Sequence, residues 1–139
     1  MDQAVIKYYR KLLKAGFEHA GSLENPSLFL DTVNENIPIC GNVGDYLQLY
    51  LHIQDGVIDE IKYLCTCDPT TNVAVEIFCI LVKGKIIKEL KTITKDLFFE
   101  VLEKQSEELG KKAEGLIELL NRGLARFPEK PASRVEQTL

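Results

Sequence analysis

The sequence lacks a surplus of positive charge and has no long apolar run. Seventeen Lys and Arg against 21 Asp and Glu give a net charge of −4, and no basic cluster stands out locally. We therefore expect no nucleic-acid partner, because nucleic-acid-binding domains carry basic patches. The longest apolar run, residues 77–82, has six residues, whereas a membrane helix needs about 20, so we expect no membrane association. The N-terminal segment carries charges where a signal peptide needs apolar residues, which predicts a cytoplasmic protein.

Common catalytic motifs are also absent, and cysteine is scarce but clustered. The sequence has no P-loop, no G-x-G-x-x-G fingerprint and no nucleophile elbow. Its four cysteines are Cys40, Cys65, Cys67 and Cys79. In a reducing compartment such residues are more often metal ligands, reactive thiols or buried small hydrophobes than disulfide partners.

The order of helix and strand signals predicts one α+β domain over residues 1–127. The fold expected is a small three-stranded antiparallel sheet, with an N-terminal helix and C-terminal helices packed on one face. The polar, proline-broken segment 128–139 is expected to be a disordered tail. Helical periodicity marks residues 3–17, 68–82, 94–104 and about 106–127, and strand signals mark 27–33, 46–53 and the segment after residue 56.

A hairpin is predicted at Asp55-Gly56, between two strands of alternating apolar residues. A two-residue turn would pair charged residues with the apolar face. A three-residue turn that includes Gln54, with Gly56 left-handed in a bulge, keeps apolar residues together. That register pairs residue 47 with residue 63, and it therefore predicts that Asp45 lies opposite Cys65.

The segment after the hairpin predicts a thiol site. Asp68 and the proline after it are typical of a helix N-cap and first helical position. Cys67 directly precedes this cap, where backbone N–H groups and the helix dipole stabilise a thiolate. With Cys65 at the strand end, Asp45 across the hairpin and Cys40 on the loop leading in, the four residues should converge. Thiolates with a carboxylate suit zinc, or iron with sulfide.

Other candidates carry less weight. Cys79 lies about 16 Å along the helix from its start, too far to share a metal with Cys67, and is expected to be buried. His52 is expected to be solvated on the outer strand face, and His19 lies in the loop after the first helix. The charge run that includes Lys111 and Lys112 is expected to be a solvated helix face.

The chain also resembles the NifU/IscU-type iron–sulfur cluster assembly scaffolds. The resemblance rests on "GSLENP", "NIPICGNVGD", "IQDGVIDEIKY", "CTCD" and "LVKGK". It implies a protein that is not an enzyme, which receives sulfur from a cysteine desulfurase and builds a transient [2Fe–2S] cluster. That cluster passes to apo iron–sulfur acceptor proteins. By position, Cys40 resembles the first cysteine ligand, Cys67 the second, and Asp45 the aspartate that keeps the cluster labile.

The chain departs from the family pattern at three places. The family's C-G-D motif is opened, so that Asp45 follows Cys40 at a greater distance. Counting back from "KGK" places Asp68 at the second cysteine. Counting back from residue 127 places Lys111 and Lys112 at the family's His-Cys pair, which supplies the third thiolate.

These departures leave three interpretations of the site open. The first is a scaffold or carrier, in which Cys65 or Asp68 replaces the absent ligand, or a second copy in a homodimer supplies it. The second is a zinc-binding or degenerate interaction module that regulates a cysteine desulfurase. The third is a persulfide relay through Cys67.

Overall fold

The protein, described by a computed structural model over residues 2–40 and 44–127, has three strands with helices packed against them. The predicted tail, residues 128–139, lies outside the described residues. The α+β prediction is confirmed. The elements in chain order are α1 (Gln3–Ala15), β1 (Leu28–Asp31), α2 (Thr32–Glu35), β2 (Leu47–Gln54), β3 (Val57–Cys65), α3 (Pro69–Val82), a 3₁₀ helix (Ile87–Thr92), α4 (Lys95–Leu102) and α5 (Glu107–Arg126).

The sheet is antiparallel with the strand order β1-β2-β3. Successive residues of a strand point to opposite faces, and the apolar alternation predicted for β2 is confirmed. Leu47, Leu49 and Leu51 are fully buried, whereas Tyr50 between them is only partly buried. One face of the sheet therefore forms half of the core.

Helix α3 lies at the centre of the molecule, in contact with α1, α4, α5 and β3. Ten of its 14 residues are buried, as expected for a helix that is apolar nearly all round. Its predicted start is confirmed: Asp68 is the N-cap, its carboxylate accepts from the Thr71 N–H at 2.9 Å, and Pro69 follows. No helix within residues 2–40 and 44–127 is long and apolar enough to span a membrane.

The lone charge of α3, Glu76, is buried in a polar cluster with His19 and Tyr63. One carboxylate oxygen accepts from the His19 N–H at 3.0 Å and from the Tyr63 hydroxyl at 3.2 Å. The other lies 2.7 Å from His19 Nδ1. Because buried carboxylates require such partners, this cluster fixes the loop after α1 against α3 and β3.

The predicted hairpin register is wrong by two residues. Asp55 and Gly56 have φ angles of 55° and 76°, so they form a two-residue turn of the kind that needs both residues left-handed. The register then shifts between His52 and Ile53, which leaves Asp59 without a partner across the hairpin. This one extra residue restores the apolar pairing that the three-residue turn was invoked to explain.

The bulge also explains the positions of two neighbouring side chains, those of Asp59 and His52. Asp59 is exposed, and its Oδ1 lies 2.6 Å from His52 Nδ1. His52 is thus on the outer face as predicted, with a carboxylate beside it.

Candidate functional site

Cys65 and Cys67 are positioned by the junction between β3 and α3. The strand ends at Cys65, and Asp68 caps the helix three residues later. Within this short connection the Cys67 N–H donates to Cys65 Sγ at 3.3 Å. Cys67 Sγ in turn lies 3.4 Å from the carbonyl oxygen of Tyr46. Both sulfur atoms therefore lie at the open end of the hairpin, beside the start of β2.

Cys40 reaches the same end from the loop that precedes β2. Its sulfur is in disulfide contact with that of Cys67, and the two Cα atoms are 5.1 Å apart. Cysteines in a reducing compartment are less often disulfide partners, but here the loop brings the two Cα atoms within the usual disulfide range. Both residues are partly buried.

Cys65 is a free, partly buried thiol next to this pair. Burial is the main cause that raises its pKa, and the charges of Asp68 and Asp45 act in the same direction. The Cys67 N–H and the Lys112 ammonium oppose the rise without reversing it. The stabilisation predicted for a thiolate next to the N-cap thus does not extend to Cys65, which is held as a neutral thiol.

Asp45 lies near the thiols but does not lie opposite Cys65 as predicted. The bulge places Leu47 opposite Cys65, so Asp45 falls beyond the end of the ladder. There its carboxylate accepts from the Thr66 hydroxyl at 3.3 Å, and the same hydroxyl accepts from the Tyr46 N–H at 3.0 Å. Asp45 is therefore linked to Thr66, the residue that separates Cys65 from Cys67.

Lys112 on α5 is the residue that sequence reasoning placed wrongly. Only 17% of its side chain is exposed, so it does not belong to a solvated face. Its ammonium donates to the carbonyl oxygen of Ile39 and lies 3.9 Å from Asp68 Oδ2. Because Ile39 precedes Cys40 and Asp68 follows Cys67, Lys112 joins the two cysteine-bearing segments. One indication of this position was present in the sequence: counting back from residue 127 aligns Lys112 with the cysteine that supplies the third thiolate in the family.

Asp68 has a second role in addition to capping α3. Partial burial acts to raise its pKa, but hydrogen bonds from Thr71 and the charge of Lys112 outweigh this and lower the pKa below its usual value. An ionised Asp68 therefore holds both the helix start and the ammonium of Lys112. An open cleft of about 460 Å³ borders this pair, lined by Ile37, Ile39 and Gly115 among others.

The arrangement offers thiols and carboxylates, but not a preformed metal cage. Across residues 2–40 and 44–127 no three His, Cys, Asp or Glu side chains are placed so that they could hold one metal ion. The disulfide contact occupies two of the three nearby sulfur atoms. Once it is reduced, Cys40 and Cys67 are close enough to bind one metal through two bonds of about 2.3 Å. The residues present therefore fit iron or zinc only in the reduced protein.

The remaining candidates lie outside this cluster. Cys79 is fully buried on α3, as predicted, and burial raises the pKa of its thiol well above the usual value. His19 was given no more weight than His52 in the sequence analysis, yet it is buried against Glu76. The sequence feature that indicates a partner is Glu76, an ionisable residue on an otherwise apolar helix. Such a residue needs a polar partner when it is buried.

Comparison with known proteins gives a fold relationship only. No protein-family profile matches the sequence, and no curated protein matches it. A nitrogen-fixing NifU-like protein (N-terminal part) from Brucella abortus superposes with a TM-score of 0.58 at 14% identity, covering 94% of this chain and 95% of that chain. A candidate iron–sulfur cluster assembly scaffold protein for the SUF system from Fervidobacterium islandicum AW-1 superposes with a TM-score of 0.59 at 13% identity, covering 89% and 96%.

A third similar structure, of a hypothetical protein, has a TM-score of 0.50 at 21% identity and covers 83% of each chain. The superpositions extend over nearly the whole of this chain and of the two scaffold-related chains, so they concern the entire domain. The protein therefore has the fold of the NifU-like and SUF-type scaffold structures.

Proposed function

We propose that the protein is an iron–sulfur cluster assembly scaffold or carrier that works in the cytoplasm and is not an enzyme. The observation that carries the proposal is the meeting of Cys40, Cys65 and Cys67 at one end of the hairpin, beside Asp45. The fold shared with NifU-like and SUF-type scaffold structures supports the same function. Iron and sulfide are here the cargo, received with the help of a cysteine desulfurase and passed to apo iron–sulfur acceptor proteins.

In this proposal the cysteines act only after reduction. Two electrons and two protons from a thiol reductant convert the Cys40–Cys67 disulfide to two thiols. Each thiol loses its proton when it binds iron, since the thiolate is the ligand. Cys65 supplies the third sulfur, and Asp45 supplies an oxygen ligand that is easily displaced. A [2Fe–2S] cluster would match this set of three thiolates and one carboxylate.

Lys112 compensates charge in this proposal. Two of the ligand-bearing segments contact its ammonium, through the Ile39 carbonyl and the Asp68 carboxylate. A fixed cation beside several thiolates lowers the cost of gathering negative charge. The resemblance places a third thiolate at this position, whereas this chain has a cation there and takes its third sulfur ligand from Cys65.

Anaerobic reconstitution tests the proposal. The reduced protein is incubated with ferrous iron, cysteine and a cysteine desulfurase, and visible thiolate-to-iron absorption is recorded. We expect absorption that Cys67→Ser abolishes and that Cys79→Ala preserves, because Cys79 is the fully buried cysteine outside the cluster. Colourless wild-type protein at full recovery would disprove the scaffold function.

A second candidate function is a zinc-binding or degenerate interaction module that regulates a cysteine desulfurase. The observation that favours it is the Lys112–Asp68 ion pair, because a cation and a carboxylate stand where the resemblance places two cysteine ligands. Zinc content of protein purified without added metal distinguishes the two functions. Stoichiometric zinc that resists exchange with iron supports this second candidate, whereas metal-free protein with no effect on desulfurase turnover excludes it.

The scaffold proposal includes a homodimer only as a source of the missing ligand. Light scattering before and after reconstitution measures this directly. A mass that doubles with cluster formation supports a shared cluster, and an unchanged monomer mass shows that one chain supplies all the ligands.

A further inference from the structure

Helix α1 carries a basic face that is not evident as a run in the sequence. Lys7, Arg10, Lys11 and Lys14 follow one another at spacings of three, one and three residues, which places them on one side of a helix. All four are exposed, and α1 contains no acidic residue. This set of four residues, here called the basic face, stands out because the whole chain has a net charge of −4.

The basic face is held rigidly by the opposite side of the same helix. Val5 is fully buried, and Tyr8, Tyr9 and Leu12 pack against the core. Because these apolar side chains are already buried, α1 cannot turn them towards a lipid bilayer, which is how an amphipathic surface helix binds membranes. An open cleft of about 500 Å³ runs along α1, lined by the basic face together with Ala4 and Ile6.

No cation of the basic face is paired within the part of the chain that the structure describes. Every ion pair found there uses a basic residue from another element, such as Lys83, Lys95 or Arg126. Lys11 has one further contact, with its ammonium 5.4 Å from the centre of the Tyr8 ring. The surface therefore offers four charges within about 10 Å of helix length, at 1.5 Å per residue.

We propose that the basic face is a docking surface for an acidic segment of a partner protein. Charge complementarity selects this partner, since neighbouring like charges on one helix repel each other until an opposite charge approaches. The tail of this chain does not suit the surface, because residues 128–139 contain equal numbers of acidic and basic side chains. A nucleic acid is less favoured, because the face lacks exposed aromatic residues for base stacking. The proposal does not depend on whether the cysteines bind iron.

Binding of a defined acidic peptide tests the docking surface. The probe is a fluorescent 12-residue peptide of alternating Glu and Asp, and its neutral control has Gln and Asn instead. In the test variant all four residues of the basic face are replaced by Glu. The matched control replaces four exposed lysines elsewhere by Glu, so that both variants have the same net charge; these are Lys85, Lys88, Lys91 and Lys104.

We expect the acidic peptide to bind the wild type, and the neutral peptide not to bind. Reversal of the basic face should weaken binding by at least about tenfold, as four exposed ion pairs of ordinary strength imply. The matched control should lose no more than about twofold. If the reversed variant does not fold by circular dichroism, replacement of the same four residues by Gln, with the four control lysines also replaced by Gln, gives the same comparison at matched net charge.

Two results would overturn the proposal. Equal losses in the two variants would show that only net charge matters. Tighter binding of vesicles with 30% phosphatidylserine, or of a 20-base-pair DNA duplex, with dependence on the basic face, would show that the surface serves a membrane or a nucleic acid.

Discussion

The buried cluster of His19, Glu76 and Tyr63 allows a quantitative test of what holds α1, α3 and β3 together. His19→Leu would leave the Glu76 carboxylate buried with two of its three donors. Loss of one hydrogen bond to a buried carboxylate costs about 1.5–3 kcal/mol. The leucine also leaves part of the carboxylate without a partner in the core, so we expect a loss near the upper limit, about 3 kcal/mol. Glu76→Leu leaves buried donors without an acceptor and should also cost about 3 kcal/mol.

The double variant distinguishes this explanation from simple loss of packing. The double variant leaves the His19 N–H and the Tyr63 hydroxyl without an acceptor, as Glu76→Leu alone does, and no carboxylate remains for the loss of the imidazole to expose. We therefore expect the double variant to lose about 3 kcal/mol rather than about 6, a coupling energy of about 3 kcal/mol. Tyr63→Phe removes only the hydroxyl and should cost about 1 kcal/mol.

Urea unfolding of the reduced protein, followed by far-ultraviolet circular dichroism, measures these free energies. Typical domains have a total stability of about 5–15 kcal/mol, so each single variant should remain folded. Losses from the two single changes that add to within 0.5 kcal/mol, the additivity expected of independent sites, would refute the reasoning.

Two further predictions concern packing and thiol access. Gly123→Ala should destabilise the protein by about 2 kcal/mol despite the better helix propensity of Ala, because its Cβ would collide with fully buried Leu30. Gly110→Ala is the matched control and should not destabilise, since its Cβ would meet only the end of a partly buried side chain; urea midpoints decide, and equal losses would contradict the packing argument. Without reductant, iodoacetamide should modify Cys65 and leave Cys79 unmodified, as mass spectrometry can show, because Cys79 is fully buried. Modification of Cys65 should become fast only at a pH above the pKa of an ordinary thiol, since burial raises the pKa of Cys65.

Local signals predicted the start of α3 and the face of β2 correctly. An aspartate followed by proline is sufficient to mark an N-cap, because cap geometry depends on neighbouring residues alone. Strand alternation likewise identifies the buried face without knowledge of the partner strand. The register prediction failed because two different hairpin geometries, with registers two residues apart, both place apolar residues opposite apolar residues. The contact between exposed Asp59 and His52 favours the observed bulge, and this contact forms only once the two strands have paired.

The proximity of the cysteines was predicted, but the charged and polar contacts around them were not. The convergence of Cys40 with Cys67 follows from the hairpin connectivity, which the sequence reveals. The position of Lys112 depends on how α5 packs across the start of α3, and the pairing of His19 with Glu76 joins residues 57 positions apart. Distances of this kind are set by the whole fold, so periodicity and spacing cannot predict them.

The central position of α3 makes the two halves of the cysteine site unequal in local stability. Cys67 directly precedes the cap of a helix buried on most sides, so its backbone should open only when the whole domain unfolds. Once the disulfide with Cys67 is reduced, Cys40 lies on a loop that is held by the Lys112–Ile39 hydrogen bond and by the burial of Ile37 and Ile39. Opening that loop exposes these two side chains but leaves helix α3 intact. A group held between the two cysteines would therefore leave Cys40 first and remain attached to Cys67 until a recipient takes it.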